Sequence, residues 1–437
     1  MLKTLQNAFK IKEIRNKLIF TFLMLIVIRL GCELPVPGVD RTYFSNWFAA
    51  QTGDAFNFLD AFTGGSFLNM SVFALNITPY ITSSIIMQLL TIAIPKLEEM
   101  QKDGEDGRKK IAAITRYVTV GLALIESTAM AIGFGNQGLL AEYNALNVIT
   151  VIAALTAGSA FLMWIGEQIT ENGVGNGISI VLTINIISRI PEDFASLFEQ
   201  FMKDKSFATA VLAAVIILVV VIGTVILTGI LNGGERRIPV QYAKKVQGRK
   251  VVGGQSSHIP LKVNTGGVIP IIFASSLMQL PIVISSFFPA KGPGAWNTIL
   301  QTLNSGNWFK PATPVYSIGA LIYIILVIFF AYFYTSITFN PLEIANNMKK
   351  QGGFVPGIRP GKPTSDYLTK ILNYIVFIGA VGLIIVAMIP IIANGLFNAS
   401  VSFGGTSLII IVGVILETLK QIESQMMVRN YKGFLND

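Results

Sequence analysis

The chain has 437 residues, of which 52% are hydrophobic and 13% charged, against about 25% charged in an average soluble domain; with a mean hydropathy of +0.62 this excludes an ordinary soluble enzyme. Thirty-three Lys and Arg against 24 Asp and Glu leave a formal charge of +9, and in a membrane protein the placement of those cations matters more than their sum. One cysteine, Cys32, permits no intrachain disulfide, and one histidine, His258, cannot build a zinc site of His and Cys ligands.

Ten apolar segments follow in chain order, roughly 18–36, 72–94, 112–134, 146–167, 177–194, 207–231, 267–289, 314–338, 370–393 and 404–424. About 20 helical residues cross a ~30 Å hydrocarbon core. Helices are predicted rather than barrel strands, because a spanning helix satisfies its own backbone and the short alternating segments of a barrel are absent. The first segment follows Lys3, Lys10, Lys12, Arg15 and Lys17, as in a signal peptide, but it is too long and has no small-residue cleavage site. Leu34-Pro35-Val36-Pro37-Gly38 reads as a helix exit, so the segment is expected to stay as an uncleaved span. Next, residues 58–70, from Phe58 through Phe62, Gly64, Gly65, Phe67 and Leu68 to Met70, are apolar, too short to span and broken by glycines. Such a segment fits a re-entrant element lying against protein or a cavity.

Two later connections are long and basic. Residues 232–266 contain Arg236, Arg237, Lys244, Lys245, Arg249 and Lys250 in two short alternating runs separated by Gln247-Gly248, which predicts a basic β-hairpin. Residues 340–364, with Asn340-Pro341, Lys349, Lys350 and Arg359, are punctuated by Gly and Pro and are expected to be ordered by turns rather than helices. With the N-terminus in the cytoplasm, the N-tail, the 95–116 connection, residues 232–262 and 340–370 and the C-terminal end from Lys420 hold 26 of the 33 Lys and Arg. That asymmetry is the positive-inside pattern, and ten spans return the C-terminus to the same side.

The sequence repeats itself. A shift of 191 places Pro79, Ile81, Ser84, Met87, Gln88 and Leu89 on Pro270, Ile272, Ser275, Met278, Gln279 and Leu280, six identities in eleven positions. A shift of 228 places Gly177, Ser179 and Leu182 on Gly405, Ser407 and Ile410, a weaker match that chance resemblance between apolar helices also explains. Span n thus matches span n+5. Five is odd, so the halves enter the membrane with opposite polarity, and an inverted repeat places the working site near the midplane between them. Ile81 and Ile85, and Leu182 and Ile186, are stacked i,i+4, and the repeat adds Ile272 and Ile410. If these faces converge they form an apolar constriction that gates by dewetting; the alternative is that they are ordinary core or lipid-facing side chains.

Catalytic chemistry is sparse. Ion relays need ionisable groups at membrane depth, and the spans offer Glu126, with no evident partner, and Arg29 with Glu33, which can pair i,i+4. Gly361-Lys362 is preceded at the fifth position by Pro356 and followed by Pro363, so it is no phosphate loop, and Gly173-Val174-Gly175-Asn176-Gly177 reads as a helix-entry turn. No catalytic residue, metal or cofactor is expected; energy must come from a partner.

Gly175-Asn176-Gly177-Ile178-Ser179, the run Arg236 to Lys244, Pro260-Leu261-Lys262-Val263-Asn264, Asn340-Pro341 with Asn347-Met348-Lys349-Lys350, and Pro356-Gly357-Ile358-Arg359-Pro360-Gly361 resemble the SecY family, the channel subunits of protein translocases, from about residue 10 to about 430. The resemblance implies an all-α polytopic fold of ten helices in two inverted five-helix halves, with a plug below an hourglass pore. It implies pore-ring positions Ile81, Ile85, Leu182, Ile186, Ile272 and Ile410, with Leu182 departing from the usual isoleucine. It also implies a plug at Phe62, Gly64, Gly65, Phe67 and Leu68, and a lateral gate between the second and seventh spans at Ser84, Gln88, Ser275, Ser276 and Gln279. Implied partners are SecE, SecG, the SecA ATPase or a ribosome on Arg236, Arg237, Lys244, Lys245, Arg249, Lys250, Lys349, Lys350 and Arg359, unfolded preproteins and signal peptides, and the lipid of the plasma membrane. The expected organisation is an N-tail (1–17), a first half (18–194), an external connection (195–206), a second half (207–424) with basic loops at 232–266 and 340–369, and a C-tail (425–437). Two other readings stay open on the residues alone: an inverted-repeat transporter for a small solute, and an insertase-type subunit without a continuous pore.

Overall fold

In a computed structural model of the chain, the described residues are 8–44, 63–136, 138, 140, 142–203, 207–242, 245–247, 250–252, 256–287, 294–311, 313–397 and 405–433. Each of the ten apolar segments contains a helix: α1 (Lys12–Glu33), α2 (Thr78–Ala93), α4 (Glu105–Asn136), α5 (Ala145–Asn172), α6 (Gly177–Phe201), α7 (Phe207–Gly233), α8 (Ile269–Phe287), α10 (Ile318–Thr338), α12 (Lys362–Phe397) and α13 (Gly405–Gly433). Short helices α3 (Pro95–Lys102), α9 (Ala295–Leu303) and α11 (Pro341–Lys350) lie in the connections. Proline at the helix start opens α2, and Ile94-Pro95 closes it; α3 leaves at 106° to α2. Among the described residues α4, α5, α7, α10 and α12 are long and apolar enough to cross a membrane, and α2 with α3 makes a sixth, bent candidate. The chain is a multi-pass, all-α membrane protein.

The duplication seen in the sequence is repeated in the packing. In the first half α2 packs on α4, α4 on α5, α5 on α6, and α1 on both α5 and α6. In the second half α8 packs on α10, α10 on α12, α12 on α13, and α7 on both α12 and α13. Advancing every helix of the first set by five spans produces the second. Each half has its own apolar core. Phe44, Phe67 and Phe134 join Met130, Val151 and Leu155 in the first, while Ile271, Phe273, Tyr323, Phe330, Leu383 and Val386 fill the second. Gly158 of α5 lets Val72 lie against the helix, since a Cβ there would overlap the Val72 carbonyl.

The first basic loop forms the expected hairpin, and the second departs from its expected form. Strand β1 (Glu235–Tyr242) pairs antiparallel with β4 (Ser256–Lys262), in register Ile238↔Ile259 and Val240↔Ser257, so the hairpin is longer than the two runs suggested. The tip carries β2 (Lys245–Gln247) and β3 (Lys250–Val252) as a separate two-stranded ladder. Residues 340–364 were expected to be turns, yet Pro341–Lys350 is helical, and this is a correction. Asn340 caps α11 by accepting from the backbone N–H of Leu342 and Glu343 at 3.2 and 3.3 Å, Pro341 occupies the first turn, and Lys349 and Lys350 close the last turn. Those are start and stop signals of a helix, which the Gly/Pro density around them obscured. Strand β5 (Gly353–Phe354) then adds to β1 at Gln241↔Phe354, so both loops share one sheet, ordered β4-β1-β5. Beneath it Ile238, Val240, Leu261, Met348, Val355, Leu368 and Ile371 form a common core. Asn340→Ala should cost about 1 kcal/mol, read as faster amide exchange across residues 341–350 with the spans unaffected.

Candidate functional site

The halves meet chiefly where α6 packs on α13 and α4 on α8. At the first contact Ile186 (2% exposed) and Ile410 (1% exposed) are buried with Ile411 and Val414, and Ile272 and Val268 of the second half pack against them. The structure therefore brings Ile186, Ile272 and Ile410 into one aliphatic cluster. Leu182 is buried one turn before Ile186 on α6. Ile81 packs instead against the first half's Ile28, Ile77 and Val181 cluster, and Ile85 against the core of the second half. Helix α2 thus straddles the divide, touching one half with each of its two stacked isoleucines.

The five polar gate residues face a sparser environment. Ser84 and Gln88 on α2, and Ser275, Ser276 and Gln279 on α8, are half-buried. Among the described residues none of them hydrogen-bonds across from one helix to the other, and the Gln88 Oε1 has no partner. On its other side α2 is tied to α4 by the Ser83–Thr119 hydrogen bond.

Residues 63–77 lie against the first half as a succession of tight turns closed by backbone bonds such as Ser71 N to Ser66 O (2.9 Å) and Asn76 N to Phe73 O (2.8 Å). Gly64 and Gly65 adopt φ of +66° and +84°, and a Cβ on Gly64 would come within 2.8 Å of the Asn185 carbonyl oxygen. The Gly64 carbonyl accepts from Arg29 Nη1 at 3.3 Å, and the same guanidinium donates to Ser188 Oγ at 3.0 Å. Ser188 Oγ in turn donates to Asn185 O at 2.7 Å. Asn185 Nδ2 donates to Asn76 Oδ1 at 3.1 Å, and Ser159 Oγ donates to Asn76 O at 3.1 Å. Phe67 sits edge-on to Phe44 and Phe134, with ring centroids 6.1 and 6.5 Å away, and Leu68 packs on the same cluster. Gly64, Gly65, Phe67 and Leu68 are therefore together; Phe62 lies outside the described residues. Reading the spans for acids and bases missed Asn76, Asn185, Ser159 and Ser188. Buried amides and hydroxyls at membrane depth were the available signal, since each must find a partner there.

Arg29 also approaches Glu33 at 3.9 Å, as the i,i+4 spacing suggested, while Glu33 pairs more closely with Arg41 at 3.3 Å. Glu126 on α4 has no hydrogen-bond or ion-pair partner among the described residues. Arg236, Arg237, Lys349, Lys350 and Arg359 all project from the shared sheet unit and are exposed. Arg237 pairs with Glu235 at 2.7 Å, and that hydrogen bond holds the Glu235 carboxyl below the usual carboxylate range. Lys244 and Arg249 lie outside the described residues; Lys245 and Lys250 are placed on β2 and β3. Finally, α7 is barely covered: 6% of its most apolar stretch is buried, against 33–44% in the four other long apolar helices.

These features define a class: a polytopic helical membrane protein, duplicated in sequence and in packing, whose halves meet at an aliphatic cluster, with a segment of tight turns folded against one of them. The model of the SecY family matches residues 71–419. Protein translocase subunit SecY of Bacillus subtilis is 44% identical over 448 residues, covering 100% of both chains. Among solved structures, the fold matches a SecY whose plug domain stabilises the closed state and maintains a membrane seal, with TM-score 0.60, 19% identity and coverage of 94% of this chain and 92% of that one. It also matches the idle yeast Ssh1 complex bound to the yeast 80S ribosome, with TM-score 0.63, 13% identity and coverage of 95% and 89%. The chain belongs to the SecY family.

Proposed function

We propose that this chain is the protein-conducting channel of the general secretory translocase, passing unfolded preproteins across the plasma membrane and releasing transmembrane helices sideways into it. The observation that supports this most is the cluster of Ile186, Ile272 and Ile410 contributed by both halves. Branched aliphatic side chains at a neck keep it dry at rest and yield to a polypeptide without offering it a fixed site. Ile81, Ile85 and Leu182 complete the neck in this reading, and the segment at about 58–70 is its plug. The halves are 18–194 and 207–424, joined by an external connection at 195–206 whose first residues, to Phe201, continue α6. The sparsely bonded α2 and α8 part as the lateral gate, at Ser84 and Gln88 against Ser275, Ser276 and Gln279. Burying about 20 apolar residues in lipid rather than water outweighs separating two helices that share few hydrogen bonds.

The basic face is then cytoplasmic, with both termini, by the positive-inside pattern. Its nine cations, Arg236, Arg237, Lys244, Lys245, Arg249, Lys250, Lys349, Lys350 and Arg359, receive the SecA motor or ribosomal RNA phosphates. The bare surface of α7 is where SecE packs, with SecG at the periphery. The chain itself performs no catalysis, and the motor or ribosome supplies the energy. In vesicles holding the chain with SecE and SecG, addition of SecA and ATP should carry a secretory protein into a protease-protected interior. Saturable uptake of a small solute in place of that transport would overturn the proposal. Arg359→Glu reverses a charge on an exposed turn whose carbonyl is held by Thr364 Oγ1 at 2.8 Å. Insertion and melting temperature should stay normal while SecA-driven transport is lost; wild-type transport would show that Arg359 serves topology alone.

A further inference from the structure

Helix α9 follows α8 on the face opposite the basic sheet and packs across the ends of α8 and α10. It contains no charged residue. Trp296, Ile299, Leu300 and Leu303 recur at i, i+3, i+4 and i+7 and so share one face, with Asn297, Thr298, Gln301 and Thr302 on the other. Leu303 rests on the core of the second half, and the Trp296 indole N–H donates to Ser285 Oγ near the end of α8 at 3.4 Å. No residue of α9 is buried, and Trp296 and Ile299 remain 47% and 48% exposed.

The surroundings say what covers that face. Helix α8 exposes Leu277 and Leu280, and the start of α10 exposes Ile318 and Leu321, with Val315 just before it. These exposed apolar side chains form a belt on the two helices whose ends α9 crosses. An amphipathic helix at the end of such a belt lies in the boundary between headgroups and acyl chains, where tryptophan is the favoured residue. Without a cationic side chain, its attachment is apolar and does not depend on anionic lipid.

We propose that α9 is an interfacial anchor, its Trp296–Ile299 face seated at the headgroup–acyl boundary of the leaflet opposite the basic loops. It tethers the end of α8 to the lipid surface, so a displacement of α8 carries α9 along that surface. The inference rests on the placement of the spans and stands apart from the transport activity.

The test is a nitroxide scan of the full-length protein in nanodiscs. Single cysteines replace Trp296, Thr298, Ile299 and Gln301 in turn, with the wild-type chain, whose Cys32 is buried, as the unlabelled control. Accessibility to oxygen, which partitions into lipid, is compared with accessibility to a water-soluble nickel chelate. The ratio should be several times higher at 296 and 299 than at 298 and 301, and equal in zwitterionic and anionic lipid. Chelate access at all four positions would place the helix in water, and exclusion of both reagents from 296 and 299 would place it under protein. Either result overturns the anchor, as would a pattern seen only in anionic lipid.

Discussion

Ile410→Asn should make the resting protein leak ions in a planar bilayer, whereas Ile410→Leu should not. Ile410 is 1% exposed and packs with Ile186, Ile411 and Val414 from helices of both halves. An amide placed there without a partner costs roughly 1–3 kcal/mol. Water entering the cluster relieves that cost, so the wetted state gains by about five- to 150-fold in population. Leucine changes shape and keeps the site apolar, which leaves the barrier to hydrated ions in place. Equal conductance for the Asn and Leu variants would show that the cluster is a core and not a seal.

Gly64→Ala should release the re-entrant segment. The substitution carries two costs: φ of +66° is the left-handed region, worth about 1–2 kcal/mol against alanine, and the new methyl falls within 2.8 Å of the Asn185 carbonyl oxygen. Asn185 is held by Asn76 and Ser188, so it cannot step aside without breaking the chain of hydrogen bonds that runs back to Arg29. The expected readings are faster amide exchange over 63–77 and a resting ion leak. Gly357→Ala is the control: its φ is +82°, but no atom lies within 4 Å of the added methyl, so it carries the backbone strain without the collision. Unchanged exchange over 63–77 in Gly64→Ala would mean that the turn tolerates the methyl and that the segment is not held where Gly64 meets Asn185.

Much of the architecture was legible from sequence because burial in lipid leaves the backbone one solution, and all ten apolar segments do contain helices. The helices that carry the proposed neck and gate are those that fit the lipid criterion least well. Helix α2 is short and bent into α3, α8 is interrupted by Ser275, Ser276 and Gln279, α6 carries Arg189, Glu192 and Asp193, and α13 carries Glu417, Lys420 and Glu423. A helix packed against protein need not be uniformly apolar. The internal repeat located Ile272 and Ile410 next to Ile186, because like positions in like halves return to the same depth. Ile81 and Ile85 share one face of α2, but periodicity says nothing about which neighbour each residue meets, and here α2 lies between two cores. Helix α11 was hidden for a local reason: Asn340-Pro341 opens turns and helices alike, and the choice was made by the apolar floor that Met348 shares with Ile238 and Leu368. The Asn76–Asn185 link joins residues 109 apart, a separation at which no local pattern operates.

The duplicated packing has a consequence for how the molecule is made. Every helix–helix contact within the first half is available once residue 201 has been synthesised, before the partner half exists. Translation at about 5–20 residues per second leaves roughly 10–40 s between that point and the appearance of α13 at residue 405. The first five spans thus have time to settle as a unit. The second set must assemble against a finished template, and the return of α13 to α6 is the step that closes the molecule.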